Sequence, residues 1–400
     1  MDGRRSRSVS TLRRGARGIR LVDFGETYLA QPPTGGEGFS AGAPAYVVAE
    51  PPSSERPWTY ARSGVDRSRV SSGLAALLAE VSYRPPPSAG RVVDAPGHYA
   101  GMIRIGRETI AVTTDTVGTK VKLAAELGRW EEVGEDIVGV NVNDLASVGA
   151  RPSGLVDTIL CRSPDPEAFG SIGRGLDRGL RQARCALLGG ETAVVPEIVD
   201  GIDLGATAFG FFPRGRRPVL GARIRPGDRL IGVPSAGLHA NGFTLVRRLL
   251  RERNVDLLRP RPGGPRPVGE ELLTPTRIYS LVGDALAETP ATHGLAHISG
   301  GGVRNLVRLA PRARFVLDHW PEVPPLFRWV QQLGGLSDEE MFQTFNMGIG
   351  FVLVVSPTRL ADTRRRLARA GAPDAIEIGH VEKGSGVSLP AWGLVFEGYS

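Results

Sequence analysis

Phe169, Ile172, Leu176 and Leu180 follow one another at spacings of three, four and four, which puts one apolar stripe on a helix running from Asp165 to Arg184. Four small or apolar residues, Cys185-Ala186-Leu187-Leu188, come next and read as a short buried strand. A helix that feeds directly into a strand must be covered by further layers of both kinds. The rest of the chain from Trp58 onward supplies them. Gly64 to Ala79 reads as a helix with Leu74, Leu77 and Leu78 inward, and a proline-rich turn at Pro85-Pro86-Pro87 precedes a strand, Thr109 to Thr114, that ends at Asp115. Glu135 to Gly149 reads as a helix and Leu204 to Phe212 as a strand. Pro213 to Pro226 has three prolines, five arginines and no apolar period, so a domain boundary is expected there.

The second half repeats the mixture. A strand, Arg229 to Val233, leads through the loop Ser235 to Gly242 into a helix, Phe243 to Arg251. Thr274 as N-cap and Pro275 at the first position predict another helix, with Ile278, Leu281, Val282 and Ala285 inward. Ser337 and Glu340 read as a capping box. Gly348 to Val355 is strand-like, Ser356-Pro357 opens an arginine-rich helix to Gly371, and Ala375 to Val381 is the expected last strand. The fold class is therefore α/β or α+β in two layered domains, 58–217 and 218–400, preceded by an extension.

That extension, residues 1–57, is rich in Arg, Ser, Gly and Pro and is expected to be disordered. An organellar transit peptide or an over-long start would look the same. It also holds most of the charge. The chain has a net charge of +7, yet residues 1–20 carry seven arginines against one aspartate, so the remainder is close to neutral and no nucleic-acid partner is expected. Two cysteines, Cys161 and Cys185, are too few for a disulfide framework, and no apolar run reaches membrane-spanning length. A cytoplasmic enzyme is the expectation.

Of the 49 basic residues only Lys120, Lys122 and Lys383 are lysines, and two of these sit in or beside Asp115-Thr116-Val117-Gly118-Thr119-Lys120. A carboxylate, a glycine, hydroxyls and a lysine at a strand end suit a nucleotide-phosphate site, since Mg²⁺ on a nucleotide needs only one or two protein carboxylates. A solvated strand end is the competing reading. Asn141 and Asp144 share a helical face, and a carboxylate among Ile137, Val140, Leu145 and Val148 calls for a counter-charge such as a metal, or else for a capping role. In Gly189-Gly190-Glu191-Thr192, Glu191 reads either as a metal or ribose contact or as part of a tight turn. Pro96-Gly97-His98-Tyr99-Ala100-Gly101 could fold over a phosphate. The loops Ser235 to Gly242 and His297 to Gly302 each join a strand to a helix and could cradle a phosphorylated substrate. His297 reads as an acid–base or substrate-contact group and His239 as a weaker one, whereas His98, His293, His319 and His380 read as structural.

In order along the chain, TYARSGVD, TTDTVGTKVKLA, VNVNDLASVGARP, QARCALLGGETAVVPEI, PSAGLHANGFTLVRRLL, LLTPTRIY, GLAHISGGGVRNLVR, PPLFRWVQQLGGLSDEEMFQTFNMGIG and IGHVEKG resemble the phosphoribosylformylglycinamidine cyclo-ligase, or AIR synthase, family of purine biosynthesis. The resemblance runs from about Tyr60 to Lys383. The aspartate–glycine–lysine and asparagine–aspartate elements recur in selenophosphate synthetase, thiamine-monophosphate kinase, a hydrogenase-maturation dehydratase and formylglycinamidine ribonucleotide synthetase. LLTPTRIY, AHISGGG and FNMGIG look like the cyclo-ligase. Thr116 stands where the family usually has Gly, PGHYAG replaces a longer glycine-rich run, and the chain is shortened near Val199.

The resemblance implies ATP-dependent closure of formylglycinamidine ribonucleotide to aminoimidazole ribonucleotide by a homodimer paired through its N-terminal sheets. It implies Mg²⁺ on Asp115 and Asp144, with Glu191 a third contact. ATP would be held by Gly97, Gly101, Asp115, Thr119, Lys120, Asn143, Asp144, Gly190 and Glu191. Substrate would be held by Ser235, Gly237, His239, Asn241, Gly242, Thr274, His297, Gly300 and Gly301, with Lys120, Asp115 and His297 acting in the chemistry. Another ATP-dependent member of the superfamily, or a non-catalytic nucleotide-binding homologue, is the alternative.

Overall fold

The computed structural model describes residues 58–83 and 86–399; the extension 1–57 and part of the Pro85–Pro87 turn lie outside the described residues. Helix α1, Arg67–Glu80, starts where the Asp66 carboxylate accepts the N–H groups of Ser68 and Arg69. Its leucines are not inward. Leu74, Leu77 and Leu78 are 55%, 60% and 59% exposed, with no second layer over them among the described residues.

A six-stranded sheet follows, with β1 Arg91–Val92, β2 Gly101–Ile105, β3 Glu108–Thr116, β4 Arg151–Cys161, β5 Ala186–Val194 and β6 Ile202–Phe211. The order is β1-β2-β3-β6-β4-β5, antiparallel except for the β4–β5 pair. That parallel pair needs a crossover, and helix α4, Pro166–Ala183, provides it. Helices α2, Lys120–Leu127, and α3, Glu131–Ser147, cover one face of the sheet. Helices α3 and α4 approach closely through glycines: a Cβ on Gly134 would overlap the Ile172 carbonyl, and one on Gly175 the Glu131 carbonyl. The expected buried strand at 185–188 is instead the start of β5 at the sheet edge, and Leu187 and Leu188 are exposed. Gly189 to Thr192 lie within β5 and form no turn after it.

The second sheet has seven strands in the order β13-β12-β9-β11-β7-β10-β8. They are β7 Arg229–Pro234, β8 Thr292–His297, β9 Ala313–Val316, β10 Ile349–Val355, β11 Ile376–Lys383, β12 Gly386–Leu389 and β13 Leu394–Phe396. Two strands therefore follow the one expected to be last. Helices α5 Phe243–Glu252, α6 Val268–Leu273, α7 Ser280–Ala287, α8 Pro325–Gly334, α9 Asp338–Thr344 and α10 Leu360–Arg369 flank it. The N-terminal half of a capping box is present: Ser337 Oγ accepts the Glu340 N–H at 3.1 Å, while the Glu340 carboxylate takes the Tyr60 N–H instead.

The helix expected from Thr274 begins only at Ser280. Side chains of α3 explain the delay. The Asp136 carboxylate accepts the Thr276 N–H and hydroxyl at 2.7 and 2.6 Å, and Asn143 Oδ1 accepts the Tyr279 N–H at 2.7 Å, which ties residues 276–279 to α3 and keeps them out of a helix. One apolar core thus runs from α3 into the second half, and a smaller one lies between α7, α10 and the outer face of β7, β8 and β10.

Candidate active site

The junction of the two sheets brings chemistry together from both halves of the chain. Alternation along β3 turns Ala111, Thr113 and Asp115 towards α3, and Asp144 on α3 faces them. His297, the last residue of β8, completes the group: its Nδ1 lies 2.9 Å from Asp144 Oδ1, and its backbone N–H donates to Ser147 Oγ on the same helix at 3.0 Å. With the carboxylate as acceptor, Nδ1 carries the proton and Nε2 keeps a free lone pair. That Nε2 is buried and has no hydrogen-bond partner among the described residues. A buried nitrogen left unpaired costs stability, so the arrangement is poised for a ligand rather than for packing.

The Asp115 carboxyl is pushed up to about 6, first by loss of hydration in its walled position and then by the charge of Asp144, against a hydrogen bond from the Thr116 N–H and the pull of His297. Its side chain is still reachable from solvent. Two facing carboxylates that repel each other suit a divalent cation carrying its own water and phosphate ligands. Among the described residues no cluster of three or more His, Cys, Asp or Glu side chains could hold a metal by itself. The pair fits a nucleotide-borne Mg²⁺ and does not fit a protein-caged ion.

Glu191 does not join the pair in this chain. Across the sheet Asp115 pairs with Ala206, Ala206 with Asp157 and Asp157 with Gly190, so these four share the α3-facing side. Glu191 is one residue further and belongs to the opposite row, with Thr158, Gly205 and Thr116. The sequence reading missed Asp157. Its carboxyl is held above the usual range by burial, and it fills the space a Cβ on Gly190 would need.

Lys120 is fully buried and already satisfied. Its ammonium pairs with Asp136 at 2.7 Å and donates to the carbonyls of His239 and Thr274 at 3.0 and 2.9 Å. Asn143 spends both ends of its amide on the Arg277 carbonyl and the Tyr279 N–H. In this conformation both residues fasten the two halves together, and neither faces the Asp115 carboxylate with a free donor. Thr119, the residue before α2, reaches Thr244 at 3.0 Å. Gly97 adopts φ +76° and Gly101 opens β2; the segment they bound is pinned by Arg308 Nε on the Gly97 carbonyl and by the Tyr99 hydroxyl donating to the His297 carbonyl. That tyrosine clamp was not read from the sequence.

The substrate candidates divide. Ser235, Gly237 and Thr274 line a cleft of about 220 Å³ with Arg266, whose Nη2 donates to Thr274 Oγ1 at 2.7 Å. Arg266, exposed at the rim, carried no sequence signal because nothing distinguishes it from its neighbouring arginines. Asn241, Gly242, Gly300 and Gly301 lie at the meeting of the two glycine loops: a Cβ on Gly300 would press on Asn241 Oδ1 at 2.9 Å, and one on Gly242 would overlap the Phe345 ring. His239 is fully buried at φ +61°. Its pKa is driven well below the usual histidine range by burial, then by His297, Lys120 and Arg277, so it stays neutral and structural near pH 7. His293 pairs with Asp228 at 2.7 Å in the structural manner expected.

Two α+β domains joined at such a site define the AIR synthase related class, and the chain belongs to that family: the AIR synthase related protein N-terminal domain matches residues 97–212 and the C-terminal domain residues 225–390. Within it, the chain falls with the phosphoribosylformylglycinamidine cyclo-ligases and is an enzyme of that family. It is 40% identical over 305 residues to that enzyme of Methanosarcina barkeri, covering 76% of this chain and 90% of the relative. It is also 40% identical over 340 residues to that of Methanothermobacter thermautotrophicus, covering 83% and 97%. The fold is that of tt0281 from Thermus thermophilus, at TM-score 0.57 and 21% identity over 81% of this chain and 97% of that one. AaThiL, solved with AMPPCP and TMP, superposes at TM-score 0.53 and 17% identity over 76% and 90%.

Proposed function

We propose that the chain closes formylglycinamidine ribonucleotide to 5-aminoimidazole ribonucleotide at the expense of ATP, releasing ADP and phosphate. The observation that carries this reading is the Asp144–His297 pair facing Asp115 across the domain junction. An amide oxygen is a poor leaving group. Transfer of the γ-phosphoryl group to it, with release of the amide N–H proton, makes the carbon electrophilic; the amidine nitrogen then attacks that carbon, phosphate departs with the oxygen, and the nitrogen gives up its own proton. Such transfer rests on positioning and charge neutralisation. Asp115 and Asp144 would hold Mg²⁺, whose charge offsets that of the phosphates. His297 Nε2, with its lone pair exposed by the Nδ1–Asp144 bond, accepts the amidine proton. Thr119 and the Gly97–Gly101 segment bound the nucleotide, and Arg266 with Ser235, Gly237 and Thr274 receives the ribose phosphate.

We take residues 58–217 as the nucleotide and dimerisation domain and 218–400 as the substrate domain. Two copies pair through the uncovered sheet face. Among the described residues, Val112, Val156, Leu188 and Phe211 leave a row of apolar side chains on solvent, and a face of this kind is stable when a second copy covers it. Glu191 lies on that face. We place the enzyme in the cytoplasm; no helix among the described residues is long and apolar enough to cross a membrane. The test is phosphate release from MgATP with and without formylglycinamidine ribonucleotide, with product mass. Coupled release and loss of one water is expected; nucleotide binding without that product would move the chain to another member of the superfamily.

A further inference from the structure

A roomy cleft lies away from Asp115 and His297, on the stretch that links the two sheets. It has a volume of about 680 Å³, within the range of sites that hold small organic molecules. Arg214, Arg216, Arg217 and Arg223 line it, against one carboxylate, Glu288. In an arginine-rich chain a single exposed guanidinium is ordinary. Here the four differ in state. Arg216 has a side chain only 4% exposed, held by Asp284 and Glu288 at 2.6 Å each, while its Nε is buried with no partner among the described residues. Arg223 is fixed by the carbonyls of Pro290 and Thr292 at 2.9 and 2.6 Å. Arg214 and Arg217 are exposed and make no hydrogen bond or ion pair among the described residues.

Glu288 is already neutralised by Arg216, so the cleft keeps an excess of positive charge. Val219, Ala287 and Pro290 give it apolar surface. We infer that this cleft is a second nucleotide site, in which the two free guanidinium groups take the phosphates and the apolar wall takes the base. Guanidinium forks match phosphate oxygens in pairs, and two fixed arginines beside two free ones present a largely prearranged positive field. The ligand would act on the catalytic residues only through the scaffold. Asp284 and Glu288 bind both Arg216 and Arg151 of β4, and Gly283 of α7 packs on Ala146, two residues from Asp144.

Calorimetric titration of the full chain with AMPPCP in the presence of Mg²⁺ tests this. Two equivalents per chain are expected for the wild type and one for R214A/R217A, with an unchanged melting temperature and turnover within about twofold; these exposed residues take no part in the proposed chemistry. Two equivalents in both proteins, or one in both, overturns the inference. One in the wild type and none in the double variant supports the linker site and counts instead against nucleotide binding at Asp115.

Discussion

Asp115 and Lys120 lie five residues apart in one motif and have opposite fates. Asp115 sits at the open end of a strand with its carboxyl raised to about 6, a folded value above the usual carboxylate range. The folded state therefore binds a proton more tightly there than the unfolded chain does, and its stability falls as pH rises from about 4 to 6. Asp115→Asn should flatten that part of the stability–pH curve, raise or preserve stability at pH 7, and lower ATP-dependent turnover by about 100-fold or more through loss of charge at the phosphates. Thermal melts from pH 4 to 7 alongside turnover check it; near wild-type rates would remove the metal assignment. Lys120→Met, in contrast, leaves the buried Asp136 without its counter-charge and should cost roughly 3–5 kcal/mol of stability in denaturant titrations. His297→Ala should reduce kcat by about 100-fold or more with little change in KM, and an unchanged kcat would return it to a structural role.

At the scale of elements, the glycines of α3 and α4 decide how closely the two helices cross. Gly175→Ala gains roughly 1 kcal/mol of helix propensity in isolation, yet its methyl group would overlap the Glu131 carbonyl. Net destabilisation of about 1–3 kcal/mol is expected from the forced separation, and a more stable variant would contradict the close crossing. Helix α4 was legible from its apolar stripe and its Asp165 cap, since both are local. The helix at Thr274 was misread although Thr274-Pro275 is an ordinary start signal. Asp136 and Asn143 of α3 outcompete it by taking the N–H groups of Thr276 and Tyr279. No local pattern records such a partner 140 positions away.

For the whole molecule, the outward leucines of α1 and the open face of the first sheet are both apolar surface with no cover among the described residues. Val112→Glu with Val156→Glu places charge on that face at residues 39% and 40% exposed, so a folded monomer should appear in sedimentation in place of the dimer proposed for the wild type. A wild-type protein that sediments as a monomer at micromolar concentration would end the pairing proposal.

Periodicity, caps and turn residues determined helices such as α4 and α5 and strands such as β3 and β10 by themselves, because they act within a few positions, and nine motifs in order determined the family. The sequence also singled out Asp115, Asp144 and His297. Only the tertiary structure decided that Asp144 orients His297, that Lys120 pairs with Asp136 inside the core, and that Glu191 falls on the far face of the sheet. Strand register and the crossing of α3 set those relations. Both depend on residues far apart in the chain, where side-chain type and spacing carry no record of who meets whom.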